Sequence, residues 1–334
     1  MAFENETKMK RAIFILMMFS VVLAACQSKP AVTSTAAMTP VRLPMGYVPN
    51  VQFAPLYVAI DKGFFKDAGI DVTLDYNMEN DNVALVGAGQ LQFAIVSGEQ
   101  VLLGRGKGLP VVYVADWYQQ YPVGVVSLAD QNITKPSDLA GKKIALPGLY
   151  GANYIGLDAL LYYAGLDESK VSLDSVGYTQ VETLASKRDS IASIYVANEP
   201  IQLKAQGYAV NVLPVSDYVD LIGNGLITNE QTLKNDPDLV QRMVTVLIKS
   251  IQYTLDHPDE AYTISMKYVD GLKADDAVQR QVLAASIVEW KADRMGYSQP
   301  EGWNNMQNVL LKMGLLDKSL DLSQAFTNQF IPEQ

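Results

Sequence analysis

Side chains able to hold a flat ring gather in a few short stretches of the sequence, and those able to break bonds are scarce. Trp117, Tyr118 and Tyr121 fall within five residues, Tyr150 and Tyr154 within another five, and Tyr178 and Tyr195 stand further on. Amides and carboxylates accompany them: Asn50, Gln52 and Phe53 after one apolar run, Ser97 and Glu99 after another, and Asn198 with Glu199 after a third. Aromatic faces grip a planar molecule at van der Waals distance, each contributing very roughly 1 kcal/mol beyond the area buried. Asn and Gln both donate and accept, while a carboxylate accepts from a ring N–H or amine. Taken singly, each aromatic serves equally well as core or rim, Glu99 as a helix N-terminal carboxylate favoured by the dipole, and Glu199 as a first-turn acid before Pro200. Convergence of all of them favours a binding site. General acid–base or metal chemistry, by contrast, finds one histidine, His257 in a helix-end context (LDHPDE), and one cysteine, Cys26. No catalytic residue, metal or cofactor is expected.

The elements that must position these groups read as α/β. β-rich runs at 41–47, 71–77, 93–97, 109–117 and 123–129 alternate with helical spacing over 53–68, 81–89 and 99–105, and Gly69 stops the first helix. A second lobe begins near Asp130, with strands at 142–148, 171–178, 190–197 and 208–215 and helices at 152–164 and 179–187. Residues 223–230 return as a β-run, after which 235–256, 258–269, 275–290 and 303–313 are consecutive amphipathic helices. The chain thus divides into lobe one (41–128 and 224–334) and lobe two (129–223), with a two-strand hinge at 123–129 and 223–229. In such folds ligands sit at the carboxyl ends of strands, in the cleft between lobes. That rule places the aromatic, amide, Ser97 and glutamate side chains named first above in cleft-facing loops, and leaves His257 and Cys26 outside them. Gly148–Gly151, ahead of a helix, adds backbone N–H groups to the same cleft.

At the N-terminus, Lys8, Lys10 and Arg11 precede the apolar run Ala12–Ala25. Its fourteen residues fall short of the ~20 that span a bilayer and suit a signal-peptide core. The run ends in Leu23-Ala24-Ala25-Cys26, which looks like a bacterial lipobox. Residues 1–25 are therefore expected to be cleaved and Cys26 lipidated, with 26–40 as a flexible tether to the cell membrane, facing periplasm or cell exterior. A net charge of −10 and a pI near 4.7 argue against nucleic acid and against docking on anionic lipid. Membrane contact is expected through the anchor alone, and the folded part as a monomer.

GYVPNVQFAPLYVAIDKGFFKDAGIDV (46–72), GQLQFAIVSGEQVLLGRGKGLPVVYV (89–114), DLAGKKIALPG (138–148) and Gly302-Trp303 together resemble the family of thiamine-pyrimidine-precursor binding and synthesis proteins. The likeness implies the two-lobe type II periplasmic binding protein fold and a partnership with an ABC permease and its ATPase. WYQQYPVG (117–124), LPGLYGANYIGLDALL (146–161), TQVE (179–182) and NEPI (198–201) look most like the riboflavin-binding branch. Enzymes of the family use a histidine just after the Pro-Asn pair and a cysteine-rich iron motif. Here Phe53 stands in that place and the motif is absent, so catalysis is not expected. The expected solute is riboflavin or a related flavin, with a thiamine-precursor aminopyrimidine as the alternative. No Lys or Arg lies in the cleft loops, the nearest being Arg105 and Lys107, which disfavours alkanesulfonate or other anionic solutes.

Overall fold

The computed structural model describes residues 37–333. The expected signal segment, the lipidation site Cys26 and most of the tether lie outside them. From Met38 onward the chain packs as one unit built on two five-stranded sheets.

The first sheet has the order β2-β1-β3-β10-β4, from β1 (Thr39–Met45), β2 (Ile70–Tyr76), β3 (Ala94–Ser97), β4 (Val111–Asp116) and β10 (Asn224–Asn229). β1 runs parallel to β2 and β3, whereas β10 runs antiparallel between β3 and β4. The second sheet, β7-β6-β8-β5-β9, comprises β5 (Val123–Leu128), β6 (Lys143–Leu146), β7 (Ser172–Ser175), β8 (Ile191–Tyr195) and β9 (Val210–Pro214). There β5 is the antiparallel insertion, paired with β8 on one side and β9 on the other. β3, β4 and β5, all Val-rich or Ala/Ile/Val-rich, are buried along their whole length, as apolar strands covered on both faces must be, and β10 (NGLITN) is buried throughout between its two neighbours.

Two expectations need correcting. The sequence pattern assigns Val123–Leu128 to lobe one as half of a β hinge, yet its backbone groups are consumed by β8 and β9 in the second sheet. The boundary therefore moves back, and the chain crosses between sheets at 117–122 and 215–223, neither of which is a strand. The single helix expected over 53–68 is three pieces: a 3₁₀ turn Val51–Phe53 and helices Ala54–Asp61 and Phe64–Asp67. Gly63 at φ 75° breaks the last two, a left-handed conformation that glycine adopts freely.

Helices Pro237–Asp256, Pro258–Ser265 and Ala277–Trp290 back the first sheet. The longest shows why: Leu239, Val240, Met243, Val244, Leu247 and Ile251 recur at three- and four-residue spacing and are all buried. Asp236 caps it, accepting from Leu239 N at 3.0 Å, and Pro237 fits the first turn, where no N–H partner is available. A second core joins the two sheets. Helix Pro300–Lys312 brings Trp303 against Tyr113 edge-on at 5.2 Å, and helix Gly151–Tyr163 adds Ile155, Leu157 and Leu160.

Where β10 enters the first sheet, its backbone passes so close to β4 that only glycine fits. A Cβ on Gly225 would stand 2.1 Å from Tyr113 Oη and 2.3 Å from the Ala115 carbonyl oxygen. Because one obstacle is strand backbone, relief requires moving β4. Gly225→Ala should therefore cost roughly 1–3 kcal/mol, read as a lowered urea midpoint at unchanged slope. Gly108→Ala, at a left-handed position with open space around it, should fall near the lower end of that range.

Candidate functional site

The carboxyl ends of the strands of both sheets open onto one cavity of about 810 Å³. Ten of the fourteen side chains singled out from sequence line it: Gln52, Phe53, Trp117, Tyr118, Tyr150, Tyr154, Tyr178, Tyr195, Asn198 and Glu199. Four do not. Asn50 turns back on its own chain to cap the 3₁₀ turn, accepting from Gln52 N at 3.0 Å. Tyr121 is a core residue 1% exposed, its hydroxyl donating to the Ala152 carbonyl at 3.0 Å. Ser97 and Glu99 lie beneath the wall, both fully buried. Spacing along the sequence puts these four at or just after strand ends but cannot tell a side chain facing the cleft from one facing inward.

Phe53 meets Tyr76 and Trp117 edge-on, at 5.8 and 6.1 Å between ring centroids, and Tyr118 meets Trp290 at 6.0 Å. Trp117 and Tyr118 are thus rings wedged among other rings on the first-lobe side. From the second lobe, Tyr195 crosses: its hydroxyl donates to Asn224 Oδ1 at 3.0 Å, and its ring meets Tyr118 edge-on at 6.3 Å. Tyr154 anchors through its hydroxyl to Glu168 at 2.8 Å. Tyr150 and Tyr178 remain half-exposed at the rim.

Three cavity residues escaped the sequence reading. Tyr47 follows β1 with φ 73° and closes edge-on against Tyr178 at 5.0 Å, a contact between the two lobes. Asn224 begins β10, and its position follows only from the antiparallel return of that strand. Glu79 opens helix Glu79–Gly87 after β2. Had the carboxyl-end rule been applied to the loop after β2, it would have found Glu79. Its Oε1 accepts from Asn224 Nδ2 at 3.0 Å, and its Oε2 from Ser97 N at 3.2 Å and Ser97 Oγ at 2.6 Å. Ser97 Oγ also contacts Glu99 Oε1, so two carboxylates meet at one hydroxyl.

Acidic groups in and under this wall are displaced upward. Burial, and then the Glu79 charge, push Glu99 up to about 8; burial likewise raises Glu79. Glu199, buried at the head of helix Glu199–Ala205 and accepting from Tyr195 N at 2.9 Å, rises to about 7, again through burial. Asp116 at the end of β4 reaches about 8 for the same reason, although Tyr113 Oη donates to it at 2.8 Å. Among the described residues, Lys107 is the one cationic side chain that lines the cavity, and it is exposed. Among the described residues no cluster of His, Cys, Asp and Glu could hold a metal ion.

A carboxyl raised in the native state favours folding while the unfolded chain is also protonated, and that contribution is lost as pH climbs through the native value. Native stability should therefore fall between about pH 5 and pH 8, by up to about 1.4 kcal/mol per pH unit for each such group. Glu99→Gln should flatten this slope in urea midpoints taken at three pH values. A slope identical to that of the parent protein would show that Glu99 holds no proton in the native state.

A family model described as NMT1/THI5 like matches residues 50–261. The riboflavin-binding protein RibY of Chloroflexus aurantiacus is 35% identical over 96% of this chain and 96% of its own. The formylaminopyrimidine-binding protein of Halalkalibacterium halodurans is 28% identical over 95% of this chain and 98% of its own. Among solved structures, the periplasmic aliphatic sulphonate binding protein SsuA from Escherichia coli superposes with a TM-score of 0.71 at 13% identity, covering 86% of this chain and 96% of that one. At that identity the likeness speaks for the fold alone, and the fold is the two-lobe α/β architecture of periplasmic binding proteins. With the family model matching residues 50–261, more than half of the chain, and RibY matching nearly end to end, this chain belongs to the NMT1/THI5-like family.

Proposed function

We propose that this protein is the extracytoplasmic solute-binding component of an ABC importer, tethered through a lipid on Cys26, and that it captures riboflavin or a closely related flavin. The observation that carries the reading is the cavity itself. Eight aromatic side chains from both lobes line a space of about 810 Å³, within the range of vitamin- and drug-sized sites. Rings at the first-lobe wall are fixed by their neighbours, whereas Tyr150 and Tyr178 at the rim are half-exposed and present ring surface to a guest, a combination suited to a flat multi-ring solute. Gln52 and Asn198 bring amide groups to the cavity for a hydroxylated chain. Similarity to RibY supports the choice of flavin.

A second reading rests on two of the cavity carboxylates, the partly buried Glu79 and the buried Glu199, which suit N–H donors of a thiamine-precursor aminopyrimidine. Catalysis is disfavoured because Phe53 replaces the histidine on which the synthetic members depend. Anionic solutes would find three acids, Glu79, Asp81 and Glu199, against one exposed lysine, an unfavourable balance for a sulfonate or carboxylate.

Riboflavin fluorescence titrated with the purified protein should be quenched to saturation, and Tyr150→Ala should weaken binding by about 1–2 kcal/mol, roughly ten-fold. A thermal shift produced by an aminopyrimidine and not by riboflavin would reverse the choice of ligand. For the tether, the mature N-terminus should be Cys26 carrying acyl mass, and Cys26→Ser should leave the protein in the soluble fraction. A mature N-terminus elsewhere, without acyl groups, would remove the anchor from the proposal.

A further inference from the structure

Glu79 and Glu99 share one hydroxyl. Ser97 Oγ carries a single proton, yet it stands 2.6 Å from Glu79 Oε2 and in contact with Glu99 Oε1. If both acids were ionised, that proton could serve only one of them, leaving the other carboxylate oxygen against an oxygen lone pair. Besides Ser97, Glu99 Oε1 has only the long contact from Gln100 Nε2 at 3.4 Å, and Glu99 Oε2 has no hydrogen-bond partner. Titratable groups facing the pair are Tyr113, Tyr121, Tyr178 and Tyr195, with Asp81 on Glu79's own helix; none is cationic. The donor count therefore calls for one extra proton on the pair.

The pair is also wired to the cleft. Glu79 lines the cavity, and Asn224 bonds it through Nδ2 while accepting from Tyr195 of the second sheet through Oδ1. The side-chain hydrogen bond that bridges the two sheets thus ends a chain beginning at the acid pair. Opening the cleft would break the Tyr195 end and admit water to Glu79. Hydrated carboxylates return to their ordinary range and release the proton.

Resting on the binding-protein reading above, we propose that Glu79 is a positioning residue that makes solute capture proton-linked: closure of the lobes over the ligand takes up one proton onto the Glu79–Ser97–Glu99 group. Ligand stabilises the closed, proton-holding form, so affinity falls as pH rises from the ordinary carboxylate range towards 8, by up to about ten-fold per pH unit. Above that, the closed form loses the proton as well and the dependence levels off.

Calorimetry of riboflavin binding at pH 7, in two buffers of different ionisation enthalpy, should return uptake of about one proton. In Glu99→Gln and in Glu79→Gln, one remaining carboxylate has the Ser97 proton to itself, so uptake should vanish and affinity should lose most of its pH dependence. The first variant leaves the cavity wall unaltered and separates proton linkage from lost ligand contact. Heats independent of buffer in the parent protein, or uptake undiminished in both variants, would overturn the proposal. Should riboflavin fail to bind, the flavin reading falls by itself, and the same measurement is made with a thiamine-precursor aminopyrimidine. If neither binds, infrared spectra of the ligand-free protein at pH 7 decide: an acid carbonyl band removed by both variants supports the shared proton, and no such band refutes it.

Discussion

The arrangement depends on β10 returning antiparallel between β3 and β4. Without it the first sheet would be split, because β3 and β4 are joined to each other only through this strand. The insertion also sets the floor of the cleft. Asn224 O receives the N–H groups of both Trp117 and Tyr118 at 3.0 Å, and Gly223 O receives that of Gly98 at 3.1 Å, so the outgoing crossing, the returning crossing and the head of helix Gly98–Gly106 are held at one point. Bulk is excluded there: a Cβ on Gly98 would meet Ile222 at 2.6 Å, and one on Gly223 would meet Tyr118 at 2.8 Å. Three glycines in succession along this seam, Gly98, Gly223 and Gly225, are what allow two sheets to meet closely enough for Tyr195 to reach Asn224.

Much of this architecture is local and could be read from the sequence. Alternating apolar runs locate nearly every strand, and the Asp236-Pro237 cap with its three- and four-residue apolar spacing marks the longest helix. What is non-local could not be read. Val123–Leu128 has the same β-rich character whichever sheet it joins; only pairing partners seventy residues away assign it to the second. Asn50 and Tyr121 illustrate the corresponding limit at the site. Both stand at strand ends, but one satisfies a turn N–H and the other a helix carbonyl, and neither choice leaves a mark on composition or spacing. Tyr47 and Asn224 could be recognised only once the opposite lobe was in place.

Aromatic walls and raised acids in this cavity have a common origin. Packing rings around the cleft excludes water, and exclusion of water is what lifts Glu99, Glu79 and Glu199. The same dry wall strengthens each hydrogen bond offered to a guest, because hydrogen bonds and charges interact more strongly at low local dielectric. A site of this kind selects by shape and by donor–acceptor pattern, and an uncharged heterocycle gives up less hydration to enter it than an ion does.

A lysine or arginine beside Glu79 would be the obvious remedy for two buried acids, and its absence needs a physical reason. A cation there would hold Glu79 permanently ionised and occupied, so its outward lone pair could no longer answer a ligand N–H, and the long side chain would fill cavity space. It would also bring the net charge of the wall closer to that of an anion site. Serine instead spans two carboxyls with a single small hydroxyl and leaves the cavity open. The accompanying cost is a native state weakened at higher pH, and it is confined to residues at the seam where the lobes meet. On the function proposed above, in which the lobes close over a solute and then release it, such a protein gains from having its least settled polar groups at that seam, since modest differential binding is enough to shift the balance between open and closed forms.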